Sequence, residues 1–482
     1  MNMRNRFRSL ILPLVVQLAA WGCSSSSEPD NQSPVVSITV PQAGATFSRG
    51  DTVEVEVTAS DPDGAVVAVW LYANNAYVGV DSTSPYQFRW DTRGAGIGRT
   101  VLEVVAGDDD GWRAGGEITV RIRWGDLAPE QLDDGWETAR ASAEGIDVAH
   151  IADMMDEIYS GGYEFMHALL VARHGKLVLE EYFNGFERDS LQHVQSTTKS
   201  FTSALVGIAI DRGEIGGVND PMVDYLPEYA YLSDEEKERI TIQHCLMMAA
   251  GLEWNEVSVP TYDPSNDNIR GHMVSDYVAY FLGKPLVAEP GTVWYYNSGC
   301  PLTMGAILKN ATGTPADDYA EEYLFGPLGV APAVWPSINS GKHVGTHGSL
   351  YVRGRDMAKF GQLFLQEGVW DGEQVISTGW VAESTQPRLT VSGGVRYGYL
   401  WWFEEMSGYD VPYTSGYGGQ HIFVVPEFDT VIVTAADYSD SSGMPVQRAR
   451  IMYLVKHWMV PAVLPSSVVG GTVYLTHVAP EN

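Results

Sequence analysis

Between Val35 and Trp124 apolar and polar positions alternate in short runs: VVSITV, DTVEVEVTASD, AVVAVWLYAN, YQFRWDT, TVLEVVAGDDD and EITVRIRW. A period of two puts successive side chains on opposite faces of a strand. Each run is bounded by Gly, Pro, Asp or Asn, the residues that turns favour. Residues 35–124 are therefore expected to form an all-β sandwich.

From about residue 135 the pattern changes. HALLVARHGKLVLEEYF predicts a hairpin that turns at His174-Gly175. Beyond Ser200 the period lengthens to that of a helix. Phe201, Ala204, Leu205 and Ile208 form one stripe that stops at Gly213, and Met357, Phe360, Leu363 and Phe364 form another that stops at Gly368. TPADDYAEEYLFG predicts a third helix, with Thr314 as its N-cap and Pro315 at its first position. Strand-like runs return in YGYLWWFEE, HIFVVPE and DTVIVTAADY. Strands, then helices, then strands imply an α+β domain over 135–465, one antiparallel sheet with a helical insert. Residues 466–482 read as a C-terminal tail.

The N-terminus carries an address. Arg4, Arg6 and Arg8 precede SLILPLVVQLAA, an apolar core too short to span a bilayer comfortably. AWGC follows, and then four serines from Ser24 to Ser27. Residues 1–22 read as a signal peptide, Cys23 as the lipidated residue of a bacterial lipoprotein, and 23–34 as its tether. Ala20 and Gly22 also fit ordinary signal cleavage, so secretion without a lipid stays open. The expected location is the outer membrane, periplasm or cell surface, with the membrane as partner through Cys23.

Composition narrows the partners further. The formal net charge is −31. Such a surface repels a phosphate backbone, so nucleic acid is excluded. Besides Cys23 only Cys245 and Cys300 occur, too few for a disulfide framework and wrongly spaced for zinc. The acidic turns SDPDG (60–64) and GDDDG (107–111) read as Asx-turns, with calcium as the alternative.

The chemistry is in QSTTKS. Val206 and Ile210 make the second face of that helix apolar too, so it is expected to be buried on most sides. A buried helix has little reason to open with Ser-Thr-Thr-Lys-Ser unless that end faces a cleft. Ser196 and Lys199, three apart, share a face, and a buried amine is easier to keep neutral as a base for the serine. The helix start would add N–H groups where an oxyanion forms. An S-x-x-K match arises by chance about once in a chain of this length, so its neighbours decide. GTVWYYNSG (291–299) offers Tyr295 and Asn297, which point the same way if the chain is extended. YTSGYGGQHIFVVPE (413–427) is a Gly-rich entry to an apolar strand that could donate a backbone N–H.

In that order the three stretches resemble the serine β-lactamase and penicillin-binding protein superfamily. The nearest branch is the class C-like group of esterases, D-aminopeptidases and 6-aminohexanoate-oligomer hydrolases. The likeness spans about 165–460 and includes VARHGKLVLEEYFNGF, DPMVDYLPEY, ITIQHCLMMAAGLEW and LYVRGRDMAKFGQLFLQEGVW. The N-terminal sandwich resembles bacterial immunoglobulin-like modules, in SITVPQAGATF, SDPDGAVVAVWLY and SPYQFRWDT.

The resemblance implies an acyl-enzyme on Ser196, with Lys199 as base and Tyr295 as proton shuttle. It implies that Asn297, Thr414, Ser415 and Gly416 position the substrate, and that the backbone N–H groups of Ser196 and Tyr417 form the oxyanion hole. No metal or organic cofactor is implied. The third motif departs from the family, because Thr414-Ser415-Gly416 lacks the cation that usually opens it. A β-lactam or peptide C-terminus needs that cation for its carboxylate, unless Arg353 or Arg355 supplies one. The expectation is an exported serine hydrolase of small-molecule or short-peptide esters and amides. A β-lactamase or D,D-peptidase, and a non-catalytic surface binding lipoprotein, are the alternatives. The sandwich would touch a surface polymer.

Other candidates carry less. His343 and His347 in HVGTH lack nearby acids for a metal site, and His244 reads as structural. Tyr262 and Asp263 would either roof the cleft or form a surface loop, and Trp401 and Trp402 read as core.

Overall fold

The computed structural model describes residues 31–260, 263–439 and 444–464. Cys23 and its signal, Tyr262 and the 466–482 tail lie outside the described residues. The chain divides into two compact units.

The first unit is built from β1 (Val35–Val40), β2 (Thr52–Ser60), β3 (Val66–Ala73), β4 (Ala76–Asp81), β5 (Tyr86–Asp91), β6 (Gly98–Asp108) and β7 (Arg113–Arg123). One sheet has the order β1-β2-β5; the other runs β7-β6-β3-β4, with the short strand Thr46–Ser48 parallel to β7 at its edge. Alternation does what it predicts: Val53, Val55 and Val57 of β2 and Val69, Leu71 and Ala73 of β3 are buried while their neighbours face out. The acidic turns are Asx-turns. Asp108 Oδ1 accepts the N–H groups of Asp110 at 3.0 Å and Trp112 at 2.8 Å, and Asp109 Oδ1 accepts that of Ala65 at 2.9 Å.

The second unit holds a nine-stranded sheet. Its strands are β8 (Glu137–Thr138), β9 (Met166–Arg173), β10 (Lys176–Tyr182), β11 (Leu389–Ser392), β12 (Val395–Tyr397), β13 (Trp402–Met406), β14 (Tyr409–Tyr413), β15 (His421–Val425) and β16 (Thr430–Ala436). The order is β11-β12-β13-β14-β15-β16-β9-β10-β8. Every pair is antiparallel except β10 with the short edge strand β8. The β9–β10 hairpin turns at His174 and Gly175, both at positive φ.

Two cores lie on the two faces of this sheet. Ala168, Leu170, Ile422, Val424, Val431 and Val433 pack toward α2 (Thr198–Asp211) and α5 (Gly354–Leu365). Leu169, Val171, Phe423, Val425 and Ile432 pack toward α1 (Val148–Tyr159) and α6 (Met444–Leu454). The helical insert between β10 and β11 contributes α2, α3 (Asp267–Met273), α4 (Gly299–Thr312) and α5. The helix expected to cap at Thr314 starts one residue later, at Ala316, with Pro315 as the cap residue.

Helix α2 is buried nearly throughout, from Thr198 to Ala209. Gly207 is the close-approach point, since a Cβ there would lie 2.3 Å from the Trp380 ring. Among the described residues no helix is long and apolar enough to cross a membrane.

Candidate active site

The polar opening of α2 is explained by what each hydroxyl touches. Thr197 Oγ1 donates to Gln420 O at 2.7 Å, Thr198 Oγ1 to Gln195 O at 2.6 Å, Ser200 Oγ to Leu400 O at 2.7 Å and Thr202 Oγ1 to Thr346 O at 2.7 Å. A buried hydroxyl without a partner is costly, so these bonds lock the helix start to three other segments of the unit. Ser196 precedes the helix in a single 3₁₀ turn, Gln195–Thr197, and Gln195 sits at φ +51. A non-glycine residue in that region is a strained one, held by its surroundings, and such residues gather at functional sites. Here the Gln195 amide bonds His193 Nδ1 at 2.7 Å, and His193 Nε2 bonds Gly348 O at 2.8 Å. Burial holds the His193 imidazole below its usual range, so it stays neutral between these partners.

Lys199 is 2% exposed, and its Nζ lies 2.8 Å from Ser196 Oγ. The same nitrogen donates to the carbonyl of His347. The ring centre of Tyr296 is 5.1 Å from Nζ. A serine oxygen, a buried amine and a phenol ring thus share one small space.

The phenol is not the one read from the sequence. Tyr295 is 41% exposed, and Tyr296 takes the place beside Lys199. The extended-chain argument fails because residues 294–297 are irregular rather than a strand, and Tyr295 faces out while Asn297 is buried. Tyr296 is steadied by Trp402, stacked with centroids 6.0 Å apart, and by Trp294 at 6.2 Å. Trp401 is core, against Phe360 and Phe364, whereas Trp402 borders the site. Asn297 is buried, and its side-chain oxygen accepts the N–H of Gly299 at 2.9 Å.

The third stretch divides by alternation. Thr414 faces α2, with its Oγ1 3.1 Å from Thr197 Oγ1. Gly416 also lies against the start of α2, since a Cβ there would sit 2.7 Å from Val194 O. Ser415 points the other way, as the residue between them in an extended chain must. It lines a cavity of about 280 Å³ with Tyr413, His421, Glu404 and Arg448, on the opposite side of the sheet from α2. Ser415 is therefore removed from the positioning residues. Tyr417 is half-buried and opens the Gly418–Gly419 turn. Gln420 braces that turn, accepting Gly418 N–H at 2.9 Å and donating to Ala436 O at 2.6 Å.

Glu256 was not visible as a site residue. Its Oε2 accepts Ser298 N–H at 2.8 Å and Trp254 Nε1–H at 2.5 Å, and its Oε1 accepts the Ser298 hydroxyl at 2.8 Å. Burial pushes its carboxyl above the usual range, while the charge of Lys199 and the bonds from Ser298 and Trp254 pull it back.

The remaining candidates are accounted for elsewhere. His343 bonds Asp276 at 2.9 Å, whereas His347 meets His272 at 2.9 Å between their Nε2 atoms, so the HVGTH histidines are not a pair. Among the described residues no group of three or more His, Cys, Asp or Glu side chains is arranged to hold a metal. Arg353 is bound to Asp356 at 2.8 Å, and Arg355 is buried against Glu180 and Asp134. Neither replaces the missing cation of the third motif. His244 caps a short helix with Thr241, Asp263 accepts the N–H and hydroxyl of Ser265, and Cys245 and Cys300 are free buried thiols.

A Ser–Lys pair at the start of α2, in a helical insert on an antiparallel sheet, is the arrangement of a serine hydrolase. Residues 163–455 match the Beta-lactamase family, to which the chain belongs, and residues 34–121 match a bacterial Ig domain. A 6-aminohexanoate-dimer hydrolase of Paenarthrobacter ureafaciens is 26% identical over 292 residues, covering 57% of this chain and 73% of its own. A putative 6-aminohexanoate-dimer hydrolase from Bacillus anthracis has a similar fold, with a TM-score of 0.53 at 20% identity over 70% of this chain and 86% of that one. So does an octameric penicillin-binding protein homologue from Pyrococcus abyssi, with a TM-score of 0.51 at 17% identity over 65% and 78%.

Proposed function

We propose that this serine hydrolase cleaves carboxylic esters or amides through an acyl-enzyme on Ser196. The observation that carries the reading is the 2.8 Å contact between Ser196 Oγ and the buried Lys199 amine. Neutral Lys199 takes the Oγ proton as the oxygen attacks the carbonyl carbon. The resulting oxyanion is received by the N–H groups of Ser196 and Tyr417. Tyr296 relays the proton from Lys199 to the leaving alcohol or amine, which departs as the acyl-enzyme forms. Water then enters along the reverse proton path, and the carboxylic acid leaves. Asn297, Thr414 and Gly416 shape the wall against which the substrate lies.

Substrates without a fixed free carboxylate fit best. The third motif brings no cation, and Arg353 and Arg355 are both committed to acids. The relative from Paenarthrobacter ureafaciens, by its name, hydrolyses a 6-aminohexanoate dimer, which favours amides over β-lactams. Export with a lipid on Cys23, and a spacer or polymer-contact role for the Ig-like domain, complete the reading. The test is a rate panel of short-chain p-nitrophenyl esters, linear amides and β-lactams with the parent chain and Ser196→Ala. Turnover of esters or linear amides that vanishes in the variant supports the proposal. Turnover confined to β-lactams would replace it with a β-lactamase.

A further inference from the structure

The chemistry assigned to Lys199 creates a difficulty that the fold must solve. When Lys199 accepts the Ser196 proton, a cation appears in a space almost closed to water. A buried charge needs a partner. The His347 carbonyl supplies a dipole, and the Tyr296 ring a π face. Neither carries charge.

Glu256 does. Its two oxygens receive three donors, two N–H groups on Oε2 and one hydroxyl on Oε1, which is the bonding of an ionised carboxylate. Ser298, which supplies two of those donors, is 2% exposed and directly follows Tyr296 and Asn297. The carboxylate is thus fastened to the same turn that carries the phenol, within the field of Lys199.

We infer that Glu256 is a positioning residue for the hydrolysis, the fixed counter-charge of the Lys199 ammonium that forms during acylation. This rests on the Ser–Lys reading above and adds a residue to it. The other titratable groups around the pair do not compete as counter-ions. Burial holds the His347 imidazole well below its usual range, so it stays neutral, and the neighbouring His272 is pushed in the same direction by the same cause. Tyr277, Tyr397 and Cys300, which feel the Glu256 charge, are all pushed up by burial and keep their protons.

Glu256→Gln is the informative variant. A glutamine oxygen can accept from Ser298 N–H and Trp254 Nε1–H, and its amide can donate to Ser298 Oγ, so the hydrogen bonds survive and only the charge is lost. Lys199 must be neutral to act as base, and a nearby carboxylate favours its protonated form. Removing that charge should move the ascending limb of the kcat/KM–pH profile to lower pH by about one unit. It should also lower kcat on the plateau about tenfold, because the ammonium is then formed without its partner. Ser298→Ala is the companion. It removes one hydroxyl bond and keeps the charge, so its limb should stay at the parent pH even where its rate falls.

Fluorophosphonate labelling of Ser196 in each variant separates the two readings. A labelled Glu256→Gln enzyme with the shifted limb, beside an unshifted Ser298→Ala enzyme, supports the inference. A labelled Glu256→Gln enzyme with the parent profile overturns it while the Ser–Lys reading stands. An unlabelled parent chain overturns both.

Discussion

Thr197 Oγ1 stands 3.1 Å from Thr414 Oγ1 and 2.7 Å from the carbonyl oxygen of Gln420. One hydroxyl, adjacent to Ser196, therefore sets the register between the nucleophile and the strand end that follows it by more than 200 residues. Thr197→Val keeps the shape and removes one of two donors to the Gln420 carbonyl, which still accepts Gly416 N–H at 2.7 Å. The expected cost is that of one hydrogen bond, about 0.5–1.5 kcal/mol, read as a lower Tm with slower labelling of Ser196. A variant with unchanged Tm and unchanged labelling would mean that the Gly416 bond alone holds this register.

The exchange of Tyr295 for Tyr296 separates cleanly by mutation. Tyr296→Phe should reduce kcat on a short-chain ester by about 10² or more, as loss of a proton relay does. Tyr295→Phe should stay within about twofold, because its ring is exposed. The opposite ranking would return the role to Tyr295.

Gly207→Ala tests the packing of α2 rather than its chemistry. The added methyl would sit 2.3 Å from the Trp380 ring. Alanine favours a helix over glycine by about 1 kcal/mol, so a helix free of neighbours would gain stability. Overpacking costs about 1–3 kcal/mol, and a net fall in Tm is expected. A rise in Tm would show that Trp380 moves aside freely.

His421 makes stability depend on pH. Burial pushes its imidazole down to about 3, and its Nδ1 bonds Thr414 O at 2.9 Å. The unfolded chain takes up this proton near pH 6.5, before the folded one does. Stability from this group is therefore complete above about 6.5 and is lost as pH falls toward 3, by about 1.4 kcal/mol per pH unit. His421→Asn keeps a donor for Thr414 O and has no such proton. Its stability should decline less steeply over that range in denaturant titrations, and an unchanged slope would count against the burial argument.

Much of this was legible from pattern alone. Period-two runs gave the sandwich, and the stripe of Phe201, Ala204, Leu205 and Ile208 gave a helix buried on most sides. Ser196 and Lys199 were legible because a spacing of three, across the 3₁₀ turn and the first turn of α2, brings two side chains together. Tyr296 was not, because the choice between adjacent tyrosines depends on the irregular path of residues 294–297. Ser415 failed because alternation sends it through the sheet, to the side away from Thr414. Glu256 and the His347 carbonyl left no local mark. Their roles come from contacts made 42 and 148 positions away, between Glu256 and Ser298 in one case and Lys199 and His347 in the other. Thr197 was hidden for the same reason, since its partners are 217 and 223 positions off.

The central claim is an activated Ser196, and the direct measurement is its covalent capture. The parent chain and Ser196→Ala would be treated with a fluorophosphonate, digested, and the adduct placed by peptide mass. The account predicts one adduct on the peptide containing Ser196, absent in Ser196→Ala and strongly slowed in Lys199→Ala. Folded parent protein that takes no label across pH 6 to 9, or carries it on another residue, would contradict it.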